Sequence, residues 1–361
     1  MTALPEHGAA FLRATSSFRS GPPLVLCHDD ADGLSAGALL ARAFARSPHG
    51  TARIRIVGRG ESAWAPSLRA EIAALAPAGI VIVDLGVQAE PVLPDIPTVF
   101  VDHHVPRSLP AAGTATVVSG QADEPAPTSS LLAFACAEAL IGQDAAADLL
   151  WLAGLGLIGD LGERGASSDF PEVMTSLKKA HSLKALREAV SLINAQRRSS
   201  SGDASPALRV LMRSAGPEEV VSGQDEDTMK LHEARAEVKA ALEVARKVPP
   251  LFAGPVALIR CDSPCQIHAL TAQSWIHRLR RQVVIAANAG FREGYVHFAA
   301  RSASVPDLIS FLQEHAPPLG PDDQFAQGHR RATGGQVRAE TWNRFVAQLG
   351  FGRDAEVPVR L

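Results

Sequence analysis

Short apolar runs alternate with amphipathic segments along the first third of the chain. Runs rich in β-branched residues predict five strands, near residues 23–28, 52–57, 79–84, 97–102 and 114–118. Segments with helical spacing predict helices near residues 34–46, 66–76, 129–142 and 145–157. Because helices separate the first strands, this pattern favours a doubly wound parallel sheet.

A second and smaller α/β unit is predicted towards the C-terminus. Apolar strands are expected near 256–259, 283–287 and 294–300, and helices near 266–280, 305–315 and 340–349. Residues 225–247 have the periodicity of one long helix, which Pro249 and Pro250 end. We therefore expect an α/β protein with two lobes. The predicted domains are an N-terminal domain over 1–190, a helical connector over 191–250 and a smaller domain over 251–361.

Composition narrows the classes of function. The 361 residues carry a formal net charge of −3, so the chain as a whole lacks the basic surface with which many proteins bind long duplexes. The four cysteines are scattered, which favours reduced thiols over a disulfide framework. The first residues lack the layout of a signal peptide, and no apolar stretch of 18 residues is evident. These features predict a cytoplasmic protein.

Acidic and histidine residues follow three of the predicted strands directly. His28 to Asp32 follow the first strand, Asp84 follows the third, and Asp102 to His104 follow the fourth. Ligands bind at the carboxyl edge of an open parallel sheet, so these side chains should meet there. So many like charges in one place indicate a pair of divalent cations. Mixed carboxylate and imidazole ligands suit Mn²⁺, and also Mg²⁺ or Co²⁺.

The alternation of His28, Asp30 and Asp32 suggests that an extended segment points all three side chains the same way. The side chain of Asp29 would then point to the opposite side, so we expect no direct role for it. The arginines at 197–198 are expected to lie on a solvated face, and the alternative is that they line the path of a nucleic-acid backbone.

Four short motifs together resemble those of the DHH phosphoesterase superfamily. They are HDDADG at 28–33, the aspartate of IVIVDLG at 80–86, VDHH at 101–104 and the aspartate of GLIGDLG at 156–162. Near the C-terminus, GHRRATGG at 328–335 is similar to the glycine–histidine signature of the family's associated substrate domain, called DHHA1. The resemblance covers residues from about 24 to about 350.

The resemblance implies two metal sites. His28, Asp30 and Asp84 would hold the first cation. The second would be held by Asp32, Asp84, His103 and Asp160, with Asp84 bridging the pair. His104 would donate to a phosphoryl oxygen of the substrate, and Asp102 would orient an imidazole. The compact first motif resembles that of RecJ-type exonucleases, although His28 stands where an aspartate is usual.

In the second lobe, the resemblance implies a set of substrate-binding residues. Gly328, His329, Gly334 and Gly335 are predicted to form a glycine-rich turn whose backbone and imidazole approach a phosphate. Arg301 follows a predicted strand, and its guanidinium could bind a phosphate bidentately.

The leading hypothesis is a manganese-dependent phosphodiesterase that acts on single-stranded nucleic acid or short oligonucleotides. Side chains on which bases could stack are scarce, with four tryptophans and one tyrosine in the chain. This scarcity favours short substrates over processive digestion of long strands. One alternative is a small-molecule phosphoesterase that acts on a cyclic dinucleotide or a phosphoadenosine phosphate. Another is a catalytically silent scaffold that binds nucleic acid or a protein partner. No membrane partner is expected, and the oligomeric state stays open.

Overall fold

The computed structural model of the chain describes residues 4–106 and 108–359, and it describes the backbone but not the side chains of residues 327–329. The chain divides into two compact units. Unit 1 comprises Met1–Arg197 with Gly202–Glu233, and unit 2 comprises Arg198–Ser201 with Ala234–Leu361.

Unit 1 is built on a five-stranded sheet in which all the strands are parallel. The strands are β1 (Leu24–His28), β2 (Arg53–Val57), β3 (Ile80–Val83), β4 (Thr98–Asp102) and β5 (Thr116–Ser119). Their order across the sheet is β2-β1-β3-β4-β5. The prediction of five parallel strands is therefore confirmed.

The remaining elements of unit 1 are helical, and α11 continues into unit 2. They are α1 (Leu4–Thr15), α2 (Ala31–Ala45), α3 (Pro66–Ala74), α4 (Ser129–Ile141), α5 (Gln143–Ala146), a 3₁₀ turn (Ala147–Leu149), α6 (Leu150–Asp169), α7 (Pro171–Ala180), α8 (Leu183–Arg198), α9 (Ser205–Arg213), α10 (Pro217–Ser222) and α11 (Glu226–Ala245). Helices α1 and α7 were not expected from the sequence.

Both faces of the sheet are covered, which explains why the three central strands β1, β3 and β4 have apolar residues on both sides along their length, with polar residues only at their ends. Val25 and Val81 belong to the cluster that packs against α2, α4 and α6. Leu26 and Ile82 point the other way, into a second cluster that includes Leu68 of α3. The polar residues at the ends of these strands therefore lie at the rim of a rigid sheet.

The turn from β1 into α2 is tighter than the sequence suggested. Asp30 caps α2 by accepting a hydrogen bond from the backbone N–H of Gly33 at 3.1 Å, and the helix begins at Ala31. Asp32 therefore lies in the first helical turn, and the prediction of an extended segment from His28 to Asp32 is wrong. A Cβ atom at Gly33 would lie 2.6 Å from the Cβ of His28 and 2.7 Å from its carbonyl oxygen, so only glycine fits there.

Helix α6 continues past the predicted end at residue 157. Asp160 lies within it, shortly before Gly162, whose φ of 69° interrupts the helical geometry. Among the described residues, Gln143–Asp169 is the one helical stretch long and apolar enough to cross a membrane, which contradicts the expectation that none would be. Trp151, Leu152 and Leu155 from this stretch are buried in the core of unit 1. Its apolar composition is therefore explained by packing inside the protein.

Unit 2 contains a six-stranded mixed sheet in the order β10-β11-β9-β8-β7-β6. Its strands are β6 (Leu251–Ala253), β7 (Val256–Cys261), β8 (Val283–Asn288), β9 (Tyr295–Ser302), β10 (Gln324–His329) and β11 (Ala332–Arg338). Its helices are α12 (His268–Ile276), α13 (Leu308–Glu314), α14 (Ala339–Gln348) and a 3₁₀ turn (Arg353–Ala355). Phe298, Trp342 and Phe345 form the aromatic centre of its core.

The predicted glycine-rich turn at 328–335 is a β-hairpin. Gly328 lies in β10, and Gly334 and Gly335 lie inside β11. A Cβ atom at Gly334 would lie 2.2 Å from the carbonyl oxygen of Phe298, and one at Gly335 would lie 2.1 Å from that of Gln324. The neighbouring strands account for these two glycines without any ligand.

We expect Gly33→Ala to lower the free energy of unfolding by about 1–3 kcal/mol, because the added methyl group meets the backbone of His28 and cannot be accommodated by a side-chain movement. Urea denaturation followed by circular dichroism measures this change. Gly352→Ala is the matched control, since it has open space and a φ of −83°. Equal stability of the two variants would contradict the close approach of β1 and α2.

Candidate metal centre

Six predicted ligands converge at the carboxyl edge of the parallel sheet. His28 ends β1, Asp84 follows β3 and His103 follows β4, while Asp32 and Asp160 come from α2 and α6. They form two groups that could each hold a metal ion, and within each group one ligand atom per residue lies within 4.8 Å of the others. The first group is His28, Asp30 and Asp84, and the second is Asp32, His103 and Asp160.

The first group surrounds one nitrogen of His28. Its Nδ1 lies 3.0 Å from Oδ2 of Asp30 and 3.4 Å from Oδ2 of Asp84. Despite these distances, Nδ1 is buried and has no hydrogen-bond partner among the described residues. Ligand atoms that approach one another without hydrogen-bond geometry fit coordination of a shared cation.

The second group is arranged around His103. Its Nε2 lies 3.4 Å from Oδ2 of Asp160 and 3.6 Å from Oδ1 of Asp84. Asp32 is fully buried, and its two oxygens accept hydrogen bonds from the backbone N–H groups of Ser129 and Ser130, at 2.9 and 3.0 Å. These N–H groups belong to the first turn of α4, where a helix stabilises negative charge.

Asp84 presents one oxygen to each group. Oδ2 faces His28, while Oδ1 faces His103 and accepts a hydrogen bond from the hydroxyl of Ser129 at 3.0 Å. Its backbone has a φ of 60°, a left-handed conformation that is uncommon for a residue with a side chain and that tends to persist at functional sites. Asp84 therefore has the geometry of a bridging ligand.

The carboxylates of the site repel one another in the absence of added positive charge. Burial, together with the charges of Asp30 and Asp32, raises the pKa of Asp84 to about 8. Burial and the charges of Asp32 and Asp84 raise the pKa of Asp160 to about 9. Burial also raises the pKa of Asp32. The chemistry of this donor set therefore fits divalent cations, which would keep all these groups ionised.

Asp30 behaves differently from the other carboxylates. Burial alone would raise the pKa of Asp30, but the neighbouring His28 and Arg197 bring it well below its ordinary value. The pKa of His28 is raised in turn, since the carboxylates of Asp30 and Asp84 outweigh the effect of burial. Burial lowers the pKa of His103, so this imidazole is neutral and able to act as a ligand.

His104 is held by Asp102. Oδ1 of Asp102 accepts from the backbone N–H of His104 at 2.8 Å and lies 2.9 Å from its Nδ1, while Oδ2 accepts from the backbone N–H of Gly86 at 2.7 Å. The hydrogen bond that Nδ1 of His104 donates to Asp102 raises the pKa of His104 to about 8. His104 could also form a metal-binding group with Asp84 and His103, but its Nδ1, which lies 3.8 Å from Asp84, is already engaged by Asp102.

Three residues of the site were missed by the sequence analysis. Asp29 is buried beside His28, and Arg197 donates to Asp30 although it was expected to be solvated. Ser129 contacts Asp84 from the start of α4. In an extended segment the side chain of Asp29 would point away from those of His28 and Asp30, so the sequence suggested no role for it. Arg197 and Ser129 belong to no recognisable motif.

The predicted substrate-binding residues lie in unit 2. Arg301 is in β9 opposite Ala332, and its Nη1 donates to the carbonyl of Ala300 at 3.0 Å. His329 ends β10, and its side chain lies outside the described residues. The roles of Arg301, Gly328, His329, Gly334 and Gly335 in binding substrate stay predictions.

No protein-family model and no curated protein matches the chain. Solved structures do match it. A RecJ in complex with Mn²⁺ from Thermus thermophilus is 20% identical with a TM-score of 0.68, over 97% of this chain and 54% of that one. An exonuclease RecJ bound to manganese is 19% identical with a TM-score of 0.66, over 97% of this chain and 94% of that one.

The DHH domain of a member of a family of ribosomal proteins is 16% identical with a TM-score of 0.67, over 96% of this chain and 90% of that one. The chain thus spans about half the length of the Thermus RecJ and nearly all of the other two. At these identities, the likeness establishes the fold. The chain therefore shares the fold of these RecJ structures and of this DHH domain.

Proposed function

We propose that the chain is a metal-dependent phosphodiesterase that hydrolyses single-stranded DNA or RNA, or short oligonucleotides, to mononucleotides. The observation that supports this best is Asp84, whose two oxygens face two separate groups of ligand atoms. A carboxylate shared between two cation sites would hold two cations close together, and two-metal phosphoryl chemistry requires such closeness.

The proposed cofactors are two divalent cations, with Mn²⁺ favoured and Mg²⁺ or Co²⁺ as alternatives. Manganese is named for two of the similar structures, and a mixed carboxylate and imidazole donor set suits it. When bound, such cations supply an activated water and neutralise charge on the phosphoryl oxygens. His28, Asp30 and Asp84 are proposed as ligands of one cation, and Asp32, Asp84, His103 and Asp160 as ligands of the other.

His104 is proposed as the catalytic residue that donates to a phosphoryl oxygen. Its imidazole is 43% exposed, and Asp102 engages its Nδ1, so Nε2 is the atom left to face a substrate. Asp102 is then a positioning residue, because it touches His104 and not the substrate. The pKa of about 8 keeps His104 largely protonated at neutral pH, as a donor to an anionic oxygen must be.

The charge and the aromatic content of the chain support a short substrate. A net charge of −3 and the small number of tryptophans and tyrosines provide little of the basic and stacking surface that long strands need. In unit 2, Arg301 is proposed as a phosphate contact. Burial lowers the pKa of this guanidinium, and an anionic phosphate would offset that effect.

We expect Asp84→Asn to reduce hydrolysis by at least about 100-fold, because one substitution removes an anionic ligand from both groups while keeping the shape of the side chain. End-labelled five-mer and thirty-mer DNA and RNA, incubated with Mn²⁺ and resolved by product length, measure this loss. Stepwise release of mononucleotides from the five-mer by the unsubstituted protein is the expected pattern.

The matched control is Asp144→Asn, an exposed aspartate on α5 that should keep full activity. Turnover that survives Asp84→Asn would show that the assigned site is wrong. Cleavage of no oligomer by the unsubstituted protein would reject the exonuclease proposal, and cyclic dinucleotides and phosphonucleotides would then be tested.

We expect Asp102→Asn to lower kcat by about 10- to 100-fold, with Mn²⁺ affinity unchanged, because it acts through the orientation of His104. His104→Gln should cost at least as much, and the double variant should cost no more than His104→Gln alone. Steady-state kinetics on the five-mer gives these values. Additive losses in the double variant would mean that Asp102 acts independently of His104.

A further inference from the structure

A partly buried ion pair lies beside the first ligand group, next to Nε2 of His28. The pair is Asp29, directly after β1, and Arg197, in the last turn of α8. The Asp29 side chain is 6% exposed and the Arg197 side chain 21% exposed. Neither residue has a role in the proposed reaction.

The two ring nitrogens of His28 face different partners. Nδ1 faces the carboxylates of Asp30 and Asp84, which share the first ligand group with it. Nε2 lies 3.4 Å from Oδ1 of Asp29. A metal-binding histidine usually offers its second N–H to a carboxylate, which fixes both the tautomer and the ring orientation.

Arg197 connects the two neighbouring carboxylates. Its Nη1 donates to Oδ2 of Asp30 at 2.9 Å, and its Nε lies 3.2 Å from Oδ1 of Asp29. Its backbone carbonyl accepts a hydrogen bond from Nη2 of Arg59 at 2.8 Å, which holds the end of α8 in place. The planar guanidinium therefore contacts both carboxylates, Asp30 by a hydrogen bond and Asp29 by an ion pair.

We propose that Asp29 and Arg197 are positioning residues for the first ligand group. Asp29 accepts the Nε2–H of His28, and Arg197 holds Asp29 and Asp30 together, so that His28 offers Nδ1 to the cation. This inference rests on the proposed function, since it requires a cation in that group.

The charge of Arg197 does not oppose a cation there, because Asp29 carries the opposite charge 3.2 Å away. The pair adds no net charge to the site, and what it contributes is geometry. We expect the loss of this geometry to outweigh the change in charge, so that loss of either member weakens binding of the cation.

The direct test determines the tautomer of His28 in the unsubstituted protein. With the 12 histidines labelled with ¹⁵N and Mg²⁺ bound, long-range proton–nitrogen correlation reports which nitrogen of each ring carries hydrogen. The His28 signal is identified by its disappearance in His28→Gln. We expect the hydrogen on Nε2, whereas hydrogen on Nδ1 would overturn the proposal.

A second test measures Mn²⁺ binding by calorimetry in variants of the pair. The Mn²⁺ site that His28→Gln abolishes is the one of interest. Arg197→Met and Asp29→Asn should each lower the Mn²⁺ affinity of that site by about 10- to 100-fold and leave the affinity of the other site unchanged. The double variant should be no weaker than Arg197→Met, because the two residues act as a unit. Arg209→Met, which removes an exposed ion pair with Asp227, is the control and should bind as the unsubstituted protein does.

These results separate the two proposals. If the unsubstituted protein binds no divalent cation, the proposed function fails and the inference falls with it. If the unsubstituted protein binds two cations but Arg197→Met leaves the Mn²⁺ affinity of the site that His28→Gln abolishes unchanged or raises it, the inference alone is wrong.

Discussion

Repulsion among buried carboxylates is the constraint on which the candidate site depends. Asp32 and Asp84 are buried, and each is grouped with a further aspartate at the edge of the sheet, Asp160 beside Asp32 and Asp30 beside Asp84. The protein offsets part of this repulsion itself. The first turn of α4 donates two N–H groups to Asp32, and Arg197 donates to Asp30. Asp84 and Asp160 keep strongly raised pKa values, so compensation by the described residues is incomplete. Divalent cations would neutralise the remaining negative charge.

Much of the fold could be predicted because its signals are local. The strands β1, β3 and β4 are covered on both faces, so their apolar runs are uninterrupted and easily recognised. Ligands placed directly after such strands must meet at one edge when the strands are parallel. The convergence of His28, Asp84 and His103 was predictable for this reason, although their proposed roles as ligands await experiment.

What could not be predicted depends on tight turns and on contacts between distant parts of the chain. The expectation of an extended segment from His28 to Asp32 fails because α2 begins at Ala31, and a one-residue difference in a helix start changes which side chains face the site. Arg197 meets Asp30 across 167 residues, a contact that no short motif encodes. Gly334 and Gly335 were expected in a turn, whereas they lie inside β11 and are required there by the adjacent strands.

The central claim is that Asp84 joins two cation sites into one dinuclear centre. Electron paramagnetic resonance of the protein loaded with two equivalents of Mn²⁺ tests it most directly, because two manganese ions that share a carboxylate give an exchange-coupled spectrum. The account predicts a coupled spectrum that Asp84→Asn converts to the signal of isolated ions. Isolated-ion signals from the fully loaded unsubstituted protein, or binding of a single equivalent, would contradict it.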